Sequence, residues 1–539
     1  LENVAYFKAK FSYAPATLRH LSPSLLLRGD SAVHYTPRDT LIMDRVLPEL
    51  KKLASFPSKL RVYITSDIEN EPDDQESLVR YLLYANEFDT RGICAVTSAW
   101  LSSCTAPESM HQIIDGYKLV VDNLNKHVHP DAQYPSAEDL HKLVVSGHPV
   151  YGKEALALPP SRGALDLVEK LCEFPNPLWV VCWGGTNVIA EALQHIRRTK
   201  ASTDEAALHA RLRVYAISDQ DDTGEWIRNT FPEVFYIASI HGFGAFDMST
   251  WQGISHPISG GDLSKASKEW LRENIQKGPL GNVYPTPMHI MEGDTPTFLY
   301  LIQNGLGDPE HPSFGSWGGR YRAIKVGSAH YADVVDTIVD VHGTERTDQK
   351  ATIARWRDHF QNDFATRMSW SLEANFWDAS HHPVPIIDGC CGPQVIRRRV
   401  QSGDVIVLDA SASYDPDSPL DNSGLEFQWY QYHEPTINHP IGAQATPRCK
   451  LRPLAPPAEG DSMLAYNDAG FTNVALGPKV EITVPDAKAP AILNYPALHW
   501  LPHTGLDGMS YHIILQVSNK TAKFPVRRYL RVILDAGMS

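Results

Sequence analysis

The side chains best suited to acid–base or metal chemistry form a run of carboxylates between residues 67 and 74. The segment TSDIENEPDD (65–74) carries Asp67, Glu69, Glu71, Asp73 and Asp74. Carboxylates this close repel one another unless a cation binds, some are protonated, or a helix N-terminus offsets part of the charge. Clustered oxygen ligands suit Ca²⁺ or Mg²⁺, and a carboxylate beside both ion and water can deprotonate that water. The run therefore predicts a metal-assisted hydrolytic site or a metal-free carboxylate acid/base site.

An ordinary helix start is the alternative explanation for this run. Asp73 and Asp74 can be first-turn acids of a helix, with the other acids in a solvated loop. That explanation suits an isolated acidic pair, and the density of acids here argues against it.

The surrounding pattern predicts a parallel α/β sheet that positions the acids. LRVYITSD (60–67) is typical of a buried strand, and DDQESLVRYLLYANE (73–87) of an amphipathic helix. Further strands are predicted at 90–98, 177–185, 212–220 and 234–239, with helical segments between or after them. Ligands bind beyond the carboxyl ends of such strands, where the acidic run lies.

Three regions are predicted along the chain. Residues 1–58 are proline-punctuated and form an N-terminal extension, and residues 59–380 form the α/β domain. Beyond residue 380 the helical periods end, and residues 385–539 contain strand-sized runs typical of an Ig-like β-sandwich. The predicted fold class is therefore a mostly parallel α/β domain followed by an all-β sandwich.

The composition and net charge of the chain limit the classes of molecule that it can bind. The chain has 539 residues, 43% of them hydrophobic, and a net charge of −14 with its basic residues scattered, which disfavours nucleic acid and anionic membranes. No stretch approaches the roughly 18 apolar residues of a membrane span. We expect an extracellular protein, although no signal peptide is visible in this chain, and the sequence leaves the oligomeric state open.

Several segments resemble nucleoside hydrolases. The acidic loop that ends in an Asp-Asp pair at a helix start is similar to the Asp-rich signature of those enzymes. VVCWGGTNVIAEAL (180–193) resembles their mid-domain strand, Gly-rich turn and helix, and EGDTPTFLYLI (292–302) places Asp294 where their final metal-binding Asp opens a late helix. With SWGGRY (316–321), RWRDHFQNDFATRMSW (355–370) and VLDASASYDP (407–416), residues 58–539 resemble nucleoside-hydrolase-like proteins described as cellulose-binding. The resemblance implies a nucleoside-hydrolase-like domain with a C-terminal β-sandwich.

The resemblance also implies roles for the acids. In nucleoside hydrolases the second acid of the loop is both metal ligand and general base, and an ungapped match places Glu69 there and Glu71 in place of a Gly. The base is therefore Glu69, or Asp67 or Glu71 if the turn is rebuilt, with Asp73 as a further catalytic candidate. The Ca²⁺ ligands implied are Asp67, Asp74 and Asp294, with the backbone carbonyl of Cys182 or Trp183. If this cage is incomplete, the carboxylates act without a metal.

Aromatic and polar residues near the other strand ends indicate a sugar ligand, because aromatic faces stack on sugar rings while amides and charged groups bind hydroxyls. The predicted substrate-binding residues are Asn70, Trp183, Asn187, His241, Trp251, Trp317 and Arg320. The leading prediction is a glycoside hydrolase in which water attacks the anomeric carbon. A nucleoside N-ribohydrolase is one alternative, and a non-catalytic carbohydrate-binding protein is the other.

Overall fold

The structure is a computed structural model that describes residues 50–241, 245–258, 261–418, 423–436, 446–454, 462–485 and 509–536. All of these residues belong to one compact unit. The predicted N-terminal extension lies outside the described residues up to position 49.

The first half of the described chain contains an eight-stranded sheet. Its strands are β1 (Leu60–Ser66), β2 (Phe88–Ala95), β3 (Val144–Ser146), β4 (Leu178–Cys182), β5 (Leu212–Ser218), β6 (Phe235–Ser239), β7 (Tyr321–Ala323) and β8 (His330–Asp333). Their order in the sheet is β3-β2-β1-β4-β5-β6-β8-β7. All neighbouring pairs are parallel except β7 with β8. The predicted mostly parallel α/β fold is confirmed.

This strand order creates a crevice between β1 and β4. From β1 the chain continues outward through β2 and β3, and it then returns to β4 on the other side of β1. Such a reversal separates the connections at the carboxyl ends of the two strands, where α/β proteins bind ligands. The acidic run directly follows β1 and is therefore located at this crevice.

Helices cover the sheet and pack around it. They are α1 (Asp73–Leu82), α2 (Pro107–Lys118), α3 (Val121–Leu124), α4 (Ala137–Lys142), α5 (Arg162–Glu173), α6 (Asn187–Thr199), α7 (Ser202–His209), α8 (Thr223–Thr230), α9 (Lys268–Asn274), α10 (Gly278–Gly281), α11 (Pro296–Leu299), α12 (Ala351–Ala354), α13 (Arg357–Leu372) and α14 (His433–Thr436). The first predicted helix ends at Leu82 instead of residue 87, and a 3₁₀ turn follows at Ala85–Glu87. The late helix expected after Asp294 is only the single turn α11, and the backbone at 300–301 continues as a turn that is buried in the core.

The second half, from residue 381 on, is all-β within the described residues apart from α14. A short hairpin, β9 (Asp336–Val339) and β10 (Glu345–Asp348), precedes it. One sheet has the order β11 (Ile396–Val400), β19 (Arg527–Ala536), β18 (Met509–Asn519), β13 (Leu425–Tyr432), β16 (Thr472–Leu476) and β15 (Met463–Tyr466). The other has the order β12 (Val405–Asp409), β17 (Lys479–Thr483) and β14 (Lys450–Pro453).

The central strands of the larger sheet, β13, β18 and β19, are buried on both faces. Trp429 of β13 and Leu515 of β18 belong to a core shared with the smaller sheet, as in a sandwich. Tyr432 and Tyr529 lie in the core of the first half, where Tyr529 packs near Trp356 with ring centroids 5.9 Å apart. Alternate residues of one strand thus enter two different cores, which explains why β18 and β19 are buried along almost their whole length.

Candidate functional site

A pocket of about 200 Å³ opens at the crevice between β1 and β4. Its lining combines carboxylates at one side with aromatic rings, two histidines and small polar groups. The residues are Asp67, Asn70, Glu71, Asp73, Asp74, Trp100, Trp183, Ile217, Ser218, Gln220, Phe246, Trp251, Gln252, His256, His289, Ile290, Gly293 and Asp294.

Three buried carboxylates meet in this pocket. Asp73 and Asp74 come from the first turn of α1, and Asp294 from the segment before α11. One oxygen atom from each lies within 4.8 Å of the other two. Oδ2 of Asp294 is buried and has no hydrogen-bond partner within the described residues. An all-oxygen, negatively charged cluster with an unpartnered buried oxygen fits a hard divalent cation.

The observed carboxylate cluster thus differs in one member from the predicted set of metal ligands. Asp74 and Asp294 belong to the cluster, and Asp73 completes it instead of Asp67. Asp67 lines the same pocket, where its Oδ2 accepts a hydrogen bond from the hydroxyl of Ser98. The Trp183 carbonyl accepts a hydrogen bond from the side-chain amide of Gln220 and is therefore already engaged.

Burial and mutual repulsion strongly raise the pKa values of the pocket acids. Burial raises the pKa of Asp73 to about 8, with the charges of Glu71 and Asp67 adding to the effect. The pKa of Asp67 rises to about 6, mainly through burial. Burial first, and neighbouring carboxylates second, hold the pKa values of Asp74 and Asp294 well above the ordinary range. The cluster must share either protons or a cation to remain buried.

Two glycines allow the loops to close on these acids. A Cβ on Gly184 would lie 2.8 Å from the Asp67 backbone nitrogen, and a Cβ on Gly293 would lie 2.6 Å from Oδ2 of Asp73. Ser66 Oγ donates to Oδ1 of Asp74 at 2.5 Å and thereby fixes this carboxylate to the end of β1.

A second buried network holds the turn that carries Asp294. Glu292 has a φ of 55°, in the left-handed region that non-glycine residues rarely adopt. Its Oε2 accepts from Nη1 of Arg80 at 2.6 Å, its Oε1 from the Tyr284 hydroxyl at 2.9 Å, and its backbone nitrogen donates to Glu76 at 2.8 Å. A strained residue held by surrounding contacts is a common feature of functional sites.

The structure distinguishes the three predicted bases by position. Glu69 is exposed, has a φ of 84°, and accepts a hydrogen bond from the Ser109 hydroxyl. It does not line the pocket that the described residues form, whereas Asp67 and Glu71 do. Burial raises the pKa of the Glu71 carboxyl, and the charge of His289 partly offsets this shift.

The predicted substrate residues divide into two groups. Asn70, Trp183 and Trp251 line the pocket, as expected for ligand contacts. His241 stands beside it, with Nε2 3.3 Å from the Ser218 hydroxyl. Asn187 is buried behind the pocket, and its amide donates to the Thr97 hydroxyl at 3.0 Å.

Trp317 and Arg320 are placed elsewhere, and their prediction as ligand contacts needs correction. Trp317 is fully buried and donates to the Tyr529 hydroxyl at 3.2 Å, and Arg320 pairs with Asp336 at 2.6 Å. Their Gly-flanked loop resembles a ligand loop in sequence. It packs instead against the all-β half, which a local pattern does not reveal.

Sequence reasoning missed several lining residues. Ser218 ends β5 and Gln220 follows it, so the rule of strand carboxyl ends was a usable signal for both. Phe246 opens a 3₁₀ turn within the Gly-flanked aromatic segment 241–253, which was its signal in the sequence. His256 and His289 lie in loops with no comparable signal.

Comparison with known proteins identifies the family. Residues 61–321 match the model described as the nucleoside hydrolase-like domain of cellulose-binding Sde182. Residues 405–536 match the model described as the C-terminal domain of cellulose-binding protein Sde0182. The chain belongs to the Sde182 family.

One solved structure agrees with the Sde182 assignment. A nucleoside hydrolase-related protein from Saccharophagus degradans that is associated with carbohydrate metabolism is 26% identical, with a TM-score of 0.66 over 89% of this chain and 100% of that chain. An inosine-uridine preferring nucleoside hydrolase from Bacillus anthracis is 12% identical, with a TM-score of 0.31 over 58% of this chain and 99% of that chain. No curated protein matches significantly. Within its described residues, the Sde182-family chain has no helix long and apolar enough to cross a membrane.

Proposed function

We propose that this Sde182-family protein is an extracellular glycoside hydrolase that acts on a saccharide through water attack at the anomeric carbon. The observation that carries the proposal is the pocket itself, in which Asp67, Glu71, Asp73, Asp74 and Asp294 meet aromatic walls. Burying so many acids is costly, and a site that only held a neutral sugar would gain nothing from their repulsion. A developing oxocarbenium ion, by contrast, is stabilised by nearby carboxylates.

The pocket acids take different roles in this proposal. Asp73, Asp74 and Asp294 would hold Ca²⁺, which when bound would polarise water in the pocket. Glu71 is half-buried at the pocket wall and acts as the base that removes a proton from the attacking water. Asn70 and Trp251 orient the sugar, the amide through its hydroxyls and the indole through its apolar face.

Carbohydrate binding without catalysis is the second candidate. The family description names cellulose binding, and Glu69, the acid that matches the nucleoside hydrolase base, contacts Ser109 instead of the pocket. Both candidates share the same ligand class and differ in whether a glycosidic bond breaks.

The test compares hydrolysis and metal content in three proteins. Wild type, Asp74→Asn and the surface control Asp131→Asn are analysed for bound Ca²⁺ and assayed with nitrophenyl glycosides, cello-oligosaccharides, inosine and uridine. We expect sugar release and bound Ca²⁺ in wild type and the control, and loss of both in Asp74→Asn. Release of nucleobase from inosine or uridine, without action on glycosides, would instead identify a nucleoside hydrolase. Binding of cello-oligosaccharides with no product would identify the binding protein.

A further inference from the structure

An exposed tryptophan stands at the mouth of the acidic pocket. Trp100 lines the pocket and yet is 59% exposed. Trp179, Trp183, Trp317 and Trp356 are fully buried, and Trp377, which is 45% exposed, does not line this pocket. An indole is a large apolar group that normally gains from burial, so its exposure beside a ligand pocket points to a bound partner.

Trp100 has an aromatic neighbour across the mouth. The centroids of the Trp100 and Phe246 rings are 5.9 Å apart, and their planes are inclined at 54°. Phe246 also lines the pocket, so the two rings form one apolar surface that is continuous with the acidic site.

The backbone under Trp100 is tied to the acids. The backbone nitrogen atoms of Trp100 and Leu101 donate to the Ser98 hydroxyl oxygen at 2.9 and 3.2 Å, and that hydroxyl donates to Asp67. Ala99 donates to the Gln220 carbonyl at 2.6 Å. The ring is therefore presented at a defined distance from the carboxylates.

The size of the pocket indicates that a ligand extends beyond it. Its volume of about 200 Å³ is below the roughly 300–1,000 Å³ of typical drug-sized ligand sites. A pocket below the size of a drug-sized site accommodates one sugar ring more readily than two. A longer saccharide must then pass over the mouth, where Trp100 and Phe246 lie.

We propose that Trp100 and Phe246 bind the sugar unit adjacent to the one in the pocket, so that the ligand is an oligosaccharide whose terminal residue enters the acidic site. This inference rests on the proposed carbohydrate ligand. The two rings have the spacing of an ordinary aromatic pair in contact, so a planar base cannot be held between them, and this favours a saccharide over a nucleobase. A sugar presents separate apolar faces to two inclined rings.

Binding measurements test this inference without requiring turnover. Titration calorimetry measures glucose, cellobiose and cellotriose binding to wild type, Trp100→Ala, Phe246→Ala and Trp377→Ala. Trp377 is a matched control, because it is 45% exposed and does not line the described pocket. We expect cellobiose to bind wild type more tightly than glucose, and Trp100→Ala to weaken cellobiose roughly tenfold or more while leaving glucose unchanged. Phe246→Ala should act in the same direction, and Trp377→Ala should match wild type.

Four outcomes would overturn the inference. If Trp100→Ala weakens the affinities for glucose and cellobiose equally, the ring contacts the first sugar. If the affinity for cellobiose is unchanged, Trp100 has no role in binding. If wild type binds no cello-oligosaccharide, the proposed ligand is wrong. Inosine is titrated in the same way as a further ligand, and Trp100-dependent binding of inosine would also overturn the inference, because the ring would then contact a base. Trp100-dependent binding without hydrolysis would retain the inference and reject the proposed hydrolase.

Discussion

At the scale of single residues, the site depends on which carboxylates face the pocket. Asp67 and Glu71 line it, and Glu69 lies outside it with its side chain at Ser109. Neighbouring acids in one loop therefore have different surroundings, although the sequence presents them as equivalents. The direction of each side chain decides which one can act on a bound water.

Glu71 and Glu69 provide a matched pair for testing the base. Glu71→Gln should lower kcat by roughly 100-fold or more, because an amide cannot accept the proton from water. Glu69→Gln removes the same kind of group outside the pocket and should retain wild-type kcat. Steady-state rates on the best glycoside substrate measure both. The assignment is wrong if Glu69→Gln is the inactive variant.

Gly293 tests how closely the cluster is packed. A Cβ at this position would lie 2.6 Å from Oδ2 of Asp73, so Gly293→Ala should displace that carboxylate and weaken Ca²⁺ binding about tenfold or more. Gly424→Ala is the control, since its nearest neighbours would be 3.4 Å from the new Cβ. Calorimetric titration of metal-stripped protein with Ca²⁺ checks both, and equal affinities would contradict the proposed cluster.

At the scale of elements, the site is the meeting of α1 with the turn before α11. Arg80 of α1 pairs with Glu292 at 2.6 Å, and both side chains are fully buried. This pair joins the helix that carries Asp73 and Asp74 to the turn that carries Asp294. The ion pair between Arg80 and Glu292 does not line the pocket, so it supports the site without taking part in the chemistry.

Glu292→Gln should destabilise the protein because it leaves Arg80 buried without its counter-ion. The expected loss is about 3 kcal/mol in the free energy of unfolding. Urea denaturation followed by circular dichroism measures it, with Glu138→Gln as a surface control whose side chain is 82% exposed. A Glu292→Gln midpoint equal to that of wild type would show that this pair does not support the turn.

At the scale of the whole molecule, the all-β half covers one side of the α/β half. Tyr529 accepts a hydrogen bond from Trp317 and lies 2.6 Å from Nδ1 of His359, and Tyr432 donates to Asp336 at 2.5 Å. The tyrosines come from β13 and β19 and their partners from the first half. The β half therefore contributes to the core of the other half, and this supports a structural role for it.

A histidine chain links distant segments and predicts acid sensitivity. His127 Nε2 donates to the Glu373 carbonyl at 2.9 Å, and its Nδ1 lies 3.1 Å from Nε2 of His381. Nδ1 of His381 lies 2.6 Å from Asp417. Because a carbonyl only accepts, Nε2 of His127 carries its proton, and Nδ1 is the acceptor for His381. Burial and the charge of His381 lower the pKa of His127 to about 4.

The lowered pKa of His127 determines how the stability of the protein changes with pH. Between pH 6.5 and 4 the unfolded chain protonates His127 and the folded chain does not, so stability present above pH 6.5 is lost on acidification. The contribution is on the order of 3 kcal/mol. His127→Gln, which cannot titrate, should show a smaller loss of unfolding free energy between pH 7 and 4 in urea titrations. Parallel pH profiles for the two proteins would disprove this role.

Local sequence determined the α/β class, the approximate positions of five strands of the parallel sheet and the acidic run at β1. Apolar runs and helical periods depend on neighbours in the chain, and the carboxyl end of β1 follows from the end of its apolar run. The Asp294 position also followed from a short motif. These features were therefore predictable from residues close together in sequence.

Tertiary structure alone decided which of the predicted residues meet. Glu69 turns to Ser109, forty positions away, and Trp317 is covered by Tyr529 from the last strand. Asp73 joins Asp74 and Asp294 because α1 and the late turn are held together by buried Arg80. Side-chain direction depends on contacts between segments far apart in the chain, and such contacts leave no mark in the local pattern.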